Sequence, residues 1–420
     1  MKRYLLSFFF IITAMVAFSQ DITGEWNGVL NIQNKSLHLV FHINKTDAGY
    51  SATMDSPDQG AKGIKMSHVT FENSILTIEL RIAQIKYTGT LDKNILTGTY
   101  SQAGHNFPMN LTKNEMATEM AVTPSIDKNA PYIETPITLQ TKIGQLFGTL
   151  TTPKTIQKGP LALIIAGSGP TDRNCNNPAM TCDAYKKLAY GLAENGISSI
   201  RYDKRGIAES AAAVEKESDL LFDNYVDDAK NWIQLAKQDK RFTQIVVIGH
   251  SEGSLIGMLA ASKADKFISV AGPGQSADIL LKEQLKAQPQ DVQDISFPVI
   301  DSLVMGKEVE NVNPMVTSLF RSSIQPYLIS WFKYDPQTEI KKLSIPILII
   351  QGTNDIQVSV DDAKRLSTAN PASQLKLMDS MNHILRTVKG DREANLATYN
   401  NAGLPLAEGL VKVVSDFILK

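Results

Sequence analysis

The chemistry of this sequence concentrates in Val246-Val247-Ile248-Gly249-His250-Ser251-Glu252-Gly253, a β-like apolar run that ends in G-x-S-x-G and enters a helical pattern. A serine hydroxyl is a weak nucleophile until a fold holds it on a sharp, exposed corner beside a base. Gly249 and Gly253 flank Ser251 at two-residue spacing, where a Cβ would collide with a tightly folded backbone. With Ser251 at the head of the next helix, backbone N–H groups point at negative charge developing near it. The chemistry this favours is attack on an acyl carbon.

Such a serine needs a base, and counting nearly settles which. Of the 6 histidines, His38, His42, His68 and His105 lie in an amino-terminal region of different character. His250 adjoins Ser251 on the turn, so its side chain is expected to point away from the serine's. His383 remains, on a loop after the predicted strand Gln374 to Met378. A carboxylate should then fix its tautomer and stabilise the imidazolium. The apolar run Ser344 to Gln351 ends in Gly352-Thr353-Asn354-Asp355, which sets Asp355 at a strand's carboxyl edge, where doubly wound sheets keep their sites. Asp361, Asp362, Asp379 and Asp391 compete. Asp361 and Asp362 fit the first turn of a helix, with Ser359 and Asp362 as a capping box, and Asp379 adjoins the histidine loop.

The order Ser251, Asp355, His383 resembles that of the α/β-hydrolase superfamily, and further segments extend the likeness over about residues 136–420. In Leu161-Ala162-Leu163-Ile164-Ile165-Ala166-Gly167-Ser168-Gly169-Pro170-Thr171-Asp172-Arg173, Gly167-Ser168 stands where the family places its oxyanion loop. Ala166 replaces the usual histidine. The resemblance implies that the backbone N–H of Ser168, or otherwise of Gly169, pairs with that of Glu252 to hold the oxyanion. Arg201-Tyr202-Asp203-Lys204-Arg205-Gly206, followed by Ser210, is similar to the family's D-x-R-G-x-G-x-S segment, with Ala208 in place of the second glycine. In the family this is a buried ionic corner, so Asp203 and Arg205 are expected to be structural. Both segments together look most like secreted bacterial carboxylesterases and serine aminopeptidase-like hydrolases.

The elements that would position these residues form a mostly parallel, doubly wound α/β sheet with helices on both faces. Its strands are predicted at Ile137–Thr141, Gln145–Thr151, Leu161–Ala166, Ile197–Tyr202, Gln244–Gly249, Phe267–Ala271, Ile345–Gln351 and Gln374–Met378. Helices are predicted at Asp183–Glu194, Asp223–Gln238, Glu252–Lys263, Ser359–Leu366 and Leu404–Leu419. Residues 272–342 interrupt the alternation with helix-like pieces, including Asp278–Lys286 and Ser318–Trp331. They read as a helical lid whose Met305, Met315, Leu319, Phe320, Tyr327, Trp331 and Phe332 either line an acyl pocket or form the lid's own core.

Upstream, residues 20–113 read as a small all-β module with strands at Gly28–Gln33, Ser36–Asn44, Ser51–Met54, Ile75–Leu80, Lys86–Leu91 and Ile95–Tyr100. Residues 114–135 read as a polar, proline-bearing linker to the hydrolase domain at 136–420. Residues 1–19 read as a signal peptide: Lys2 and Arg3, the apolar stretch Leu5 to Val16, then Ala17-Phe18-Ser19, leaving Gln20 as the first mature residue. The apolar stretch is short for a membrane span, so no stable insertion is expected after cleavage, and the protein is expected to be exported, periplasmic or extracellular. In an oxidising compartment the two cysteines, Cys175 and Cys182, read as a short-loop disulfide. No histidine lies near them in sequence to complete a metal site.

Composition fits a folded enzyme, with 43% hydrophobic residues, and the net charge of −1 gives no reason to expect nucleic acid as a partner. The expected activity is hydrolysis of a small-molecule carboxylic ester through an acyl-enzyme, with neither metal nor organic cofactor required. Two alternatives stand beside it. One is a serine peptidase or aminopeptidase acting on an amide, which needs a carboxylate to hold the substrate amine. The other is a non-catalytic binding protein. Oligomeric state is left open.

Overall fold

A computed structural model describes residues 21–113 and 130–420, apart from 33–34, 48, 58–60, 82–84, 103–104, 156–157 and 178–179. The expected signal peptide, Gln20 and residues 114–129 of the expected linker lie outside these residues. Contacts divide the chain into two units, Met1–Ile126 and Asp127–Lys420.

In the first unit, strands between Gly24 and Thr112 form one nine-stranded sheet. The period-2 pattern explains its faces: along Ile85–Asp92, Ile85, Tyr87, Gly89 and Leu91 are buried, and the residues between them are not. Trp26, Phe41 and Tyr87 centre the core, and the Trp26 indole N–H donates to the Ile22 carbonyl at 2.7 Å. Beside the six expected strands stand Ala61–Lys65, His68–Glu72 and His105–Thr112. Their patterns are short or broken by glycine and proline. Pro108 is tolerated because it lies where its strand pairs only with Ile95–Gln102.

The second unit holds an eight-stranded sheet: β1 (Tyr132–Gln140), β2 (Gln145–Pro153), β3 (Gly159–Ile165), β4 (Ser198–Tyr202), β5 (Phe242–His250), β6 (Lys266–Val270), β7 (Ile347–Gly352) and β8 (Gln374–Met378). Their spatial order is β1-β2-β4-β3-β5-β6-β7-β8. The first two pairings are antiparallel and the rest parallel. Strands β4, β6 and β7 are buried at every position, as expected of parallel strands covered on both faces, and β7 opens with the apolar run Ile347–Ile350. β1 begins at Tyr132, upstream of the expected domain start at 136, because an edge strand accommodates Pro136.

The helices between strands are α1 (Ala184–Glu194), α2 (Phe222–Gln238), α3 (Glu252–Ala260), α4 (Ala277–Leu285), α5 (Gln290–Val304), α6 (Thr317–Phe320), α7 (Gln325–Trp331), α8 (Pro336–Lys341) and α9 (Val360–Ala369), and α10 (Arg392–Ala397) and α11 (Leu410–Leu419) follow the last strand. One core packs α2 and the α4–α8 insertion on one face, around Phe222, Trp232, Phe320, Tyr327 and Trp331. A second packs α1 and α11 on the other, around Tyr185, Leu188, Val414 and Phe417. The helix expected over Ser318–Trp331 is split: Arg321 is extended (ψ 146°), and Pro326 lies in the first turn of α7. The closing helix starts at Leu410 rather than Leu404, because Gly409 turns the chain at φ +78°.

Candidate functional site

The corner between β5 and α3 puts Ser251 at φ 54°, ψ −123°, a conformation that a residue with a side chain holds only under constraint. Neighbouring backbone supplies that constraint. A Cβ on Gly249 would stand 2.2 Å from the Gly253 carbonyl oxygen, and one on Gly253 would stand 2.4 Å from the Ile165 carbonyl oxygen. The Ser251 N–H donates to the Val270 carbonyl at 3.0 Å, so β6 ties down the corner. Glu252 is the first residue of α3, whose leading N–H groups have no carbonyl within the helix to bond.

His383 and Asp355 meet. Nδ1 of His383 lies 2.8 Å from Oδ2 of Asp355, with side chains 7% and 0% exposed. The same carboxylate accepts from Gln351 Nε2 at 3.1 Å, and its other oxygen accepts from the N–H groups of Gln357 (2.8 Å) and Val358 (3.0 Å). Burial acts on this carboxyl most strongly and pushes it up. The His383 charge and hydrogen bond, with the two backbone N–H groups, outweigh burial and leave it below its ordinary 3.8. An ionised Asp355 holds Nδ1 as the protonated nitrogen and leaves Nε2 as the lone-pair face.

The competing carboxylates are occupied elsewhere. Asp362 forms the expected capping box with Ser359 at the head of α9, Asp361 bonds Lys364, and Asp391 caps α10. Asp379 is exposed and bonds Thr353 and Ser380.

His250 departs from expectation. It lines the same cavity as Ser251 and His383, and its ring centroid lies 4.8 Å from that of His383. Its Nε2 donates to the His383 carbonyl at 2.8 Å, and its Nδ1 accepts from the Tyr185 hydroxyl at 2.8 Å. Burial, seconded by the nearby His383 charge, pushes its pKa down to about 3, so it is neutral. The Tyr185 oxygen also accepts from the Gly167 N–H at 3.1 Å. A chain of bonds therefore runs from the loop after β3 to the backbone of His383. Tyr185 carries no sequence signal beyond an apolar helical position, whereas His250 was visible beside the serine.

Ser251, His383, Gly167 and Ser168 line one cavity of about 280 Å³. Thr171, Cys175, Asn177 and Met180 wall it from the loop after β3, and Gln357, Ile384 and Tyr399 from the carboxyl-terminal side. Among the described residues, none from 272–342 lines it. Phe320, Tyr327, Trp331 and Phe332 are buried in the core, and Met305, Met315 and Leu319 are exposed. Of the two readings left open for these residues, packing in the core describes Phe320, Tyr327, Trp331 and Phe332.

The D-x-R segment is an ionic corner. Arg205 bonds both oxygens of Asp228 at 2.6 and 2.8 Å, and Asp203, 1% exposed, accepts from the backbone and guanidinium of Arg173. The expected Cys175–Cys182 disulfide is not formed. Both residues are buried free thiols. Cys175 sits in a turn at φ 76°, the Cys182 thiol donates to its carbonyl at 2.9 Å, and the two cysteine side chains lie within hydrogen-bond reach of each other. No three His, Cys, Asp or Glu side chains gather as a metal site among the described residues.

Comparison with known proteins adds three findings. The serine aminopeptidase (S33) family profile matches residues 178–311, a stretch that includes Ser251. Esterase EstD of Thermotoga maritima is 27% identical over 280 residues, covering 62% of each chain; the chain thus spans less than two thirds of that relative's length. Among solved structures, Est1E from Butyrivibrio proteoclasticus is 17% identical, with 68% of this chain and 99% of that one covered at a TM-score of 0.44. The Pyrococcus furiosus esterase Pf2001 is 14% identical, with 70% and 92% covered at a TM-score of 0.44. Over part of its length the chain is thus similar to the serine aminopeptidase (S33) family and to an esterase.

Proposed function

We propose that this chain is an exported serine hydrolase that cleaves small carboxylic esters through an acyl-enzyme on Ser251, His383 and Asp355. The observation that carries the reading is a serine on a strained corner sharing one cavity with a histidine whose other nitrogen is held by a buried carboxylate. His383 Nε2 takes the Ser251 proton as Oγ adds to the ester carbonyl. Asp355 stabilises the imidazolium. The tetrahedral oxygen is held by backbone N–H groups of Glu252 and the Gly167-Ser168-Gly169 loop. The imidazolium then protonates the departing alcohol. Water, deprotonated by His383, attacks the acyl carbon and releases the acid and Ser251.

Ester cleavage is preferred to aminopeptidase action because, among the described residues, no carboxylate lines the cavity to hold a substrate amine. Glu252, the carboxylate next to the nucleophile in sequence, is 2% exposed and paired with Lys204. The cavity volume of about 280 Å³ lies below the usual ~300–1,000 Å³ of ligand pockets, which favours short acyl groups. Export rests on the composition of residues 1–19 alone. Turnover of p-nitrophenyl acetate, p-nitrophenyl decanoate and an alanyl p-nitroanilide decides the matter. The expected result is fast acetate cleavage, slow decanoate and no anilide. Anilide cleavage exceeding that of acetate would replace this reading with the peptidase.

A further inference from the structure

The buried pair Lys204–Glu252 is unused by the mechanism above. Lys204 is 1% exposed and Glu252 2%, with Nζ and Oε1 3.3 Å apart. Lys204 Nζ also lies 4.7 Å from the centre of the Tyr225 ring. Its shortest bond goes elsewhere, to the carbonyl oxygen of Gly167 at 2.6 Å. An ammonium group so far from water and so directed has a geometric consequence.

We infer that Lys204 is a positioning residue that sets the Gly167–Ser168 peptide plane and so makes the Ser168 N–H, rather than that of Gly169, the loop's oxyanion donor. This rests on the ester-hydrolase reading above. In a trans peptide the C=O of one residue and the N–H of the next point in opposite directions. Pinning the Gly167 carbonyl toward Lys204 therefore turns the Ser168 N–H the other way. The peptide passes beside the nucleophile: a Cβ on Gly167 would stand 3.2 Å from Ser251 Cβ. The preceding N–H, on Gly167 itself, lies in the neighbouring Ala166–Gly167 plane and is given to Tyr185 at 3.1 Å, so the peptide planes on both sides of the Gly167 Cα are each tied by one bond. A rotated plane would present the Gly167 carbonyl to the developing oxyanion and repel it. Glu252 completes the device: its carboxylate balances the Lys204 charge, and its backbone N–H is the second donor.

The test is the double variant Lys204→Met/Glu252→Gln, which removes the carbonyl anchor without leaving a buried charge unpaired, assayed on p-nitrophenyl acetate beside wild type and Ser251→Ala. Loss of one oxyanion donor costs on the order of 10²–10³ in kcat. A fall of that size is expected, with KM within about twofold and a matching loss of affinity for a phenylboronic acid. Inhibition by the product acid, which needs no oxyanion hole, should be unchanged. A merely structural role would weaken substrate and product binding together. Retention of kcat within threefold overturns the inference while leaving the ester-hydrolase reading intact. Wild-type turnover that survives Ser251→Ala overturns that reading instead. Should the double variant fail to fold, amide NMR of wild type with labelled serine and glycine decides. On adding the boronic acid, the Ser168 amide proton should move downfield with Gly169 unmoved; the reverse refutes the assignment.

Discussion

A neutral buried imidazole beside the proposed base makes His250 a source of acid lability, and the structure sets its size. The pKa of His250 is pushed from 6.5 to about 3 by burial and then by the nearby His383 charge. The unfolded chain therefore binds a proton here well before the folded one does, and stability rises with pH across this window. The contribution is fully present above pH 6.5 and is lost as pH falls toward about 3. At pH 5 the unfolded imidazole is almost wholly protonated and the folded one almost wholly neutral, a difference of about 2 kcal/mol relative to pH 8.

The perturbation is His250→Gln, whose amide can still donate to the His383 carbonyl but leaves the Tyr185 hydroxyl without its acceptor. At pH 8 that costs about 1–3 kcal/mol. Because glutamine does not titrate, the gap between wild type and variant should shrink by about 2 kcal/mol at pH 5. Urea unfolding at both pH values, followed through Trp232 and Trp331 in the second unit, measures it. A gap that stays constant between pH 8 and pH 5 would refute the claim that His250 is held neutral.

Three further outcomes follow from the same geometry. Asp355→Asn should lower kcat by about 10³–10⁴-fold, because an amide no longer fixes the His383 tautomer. Asp379→Asn should stay within threefold of wild type, since Asp379 is exposed and makes no bond to His383. Gly253→Ala should cost about 3 kcal/mol or more in urea unfolding, because its methyl meets the Ile165 and Ala166 carbonyl oxygens at 2.4 and 2.6 Å and backbone cannot step aside as a side chain can.

Much of this arrangement was legible because its parts are encoded locally. The G-x-S-x-G spacing announced a corner that only glycine can build, and the runs Leu161–Ile165 and Ile347–Ile350 are unbroken and apolar because both faces are buried. Asp355 was preferred to Asp379 on its place at a strand end, and the structure puts it 2.8 Å from His383. What was not legible depends on contacts between distant segments. Tyr185 reaches His250 across 65 positions and Lys204 reaches Gly167 across 37, and neither residue type or spacing hints at the bond. His250 was set aside as a base on adjacency alone, and its bonds to Tyr185 and the His383 carbonyl were not foreseen. The aromatic residues of 272–342 had two readings, and only packing shows that Phe222 stacks on Trp331 at 5.8 Å and keeps it in the core. The cysteine spacing did bring Cys175 and Cys182 together, as buried thiols whose side chains meet.

The central claim is that Ser251 is the nucleophile. Incubation with a fluorophosphonate, followed by intact mass measurement and peptide mapping, tests it most directly. The account predicts one phosphonyl adduct per chain on the peptide containing Ser251, loss of ester turnover in proportion to labelling, and no adduct on Ser251→Ala. An adduct mapped to another residue, or turnover that persists in the fully labelled protein, would contradict it.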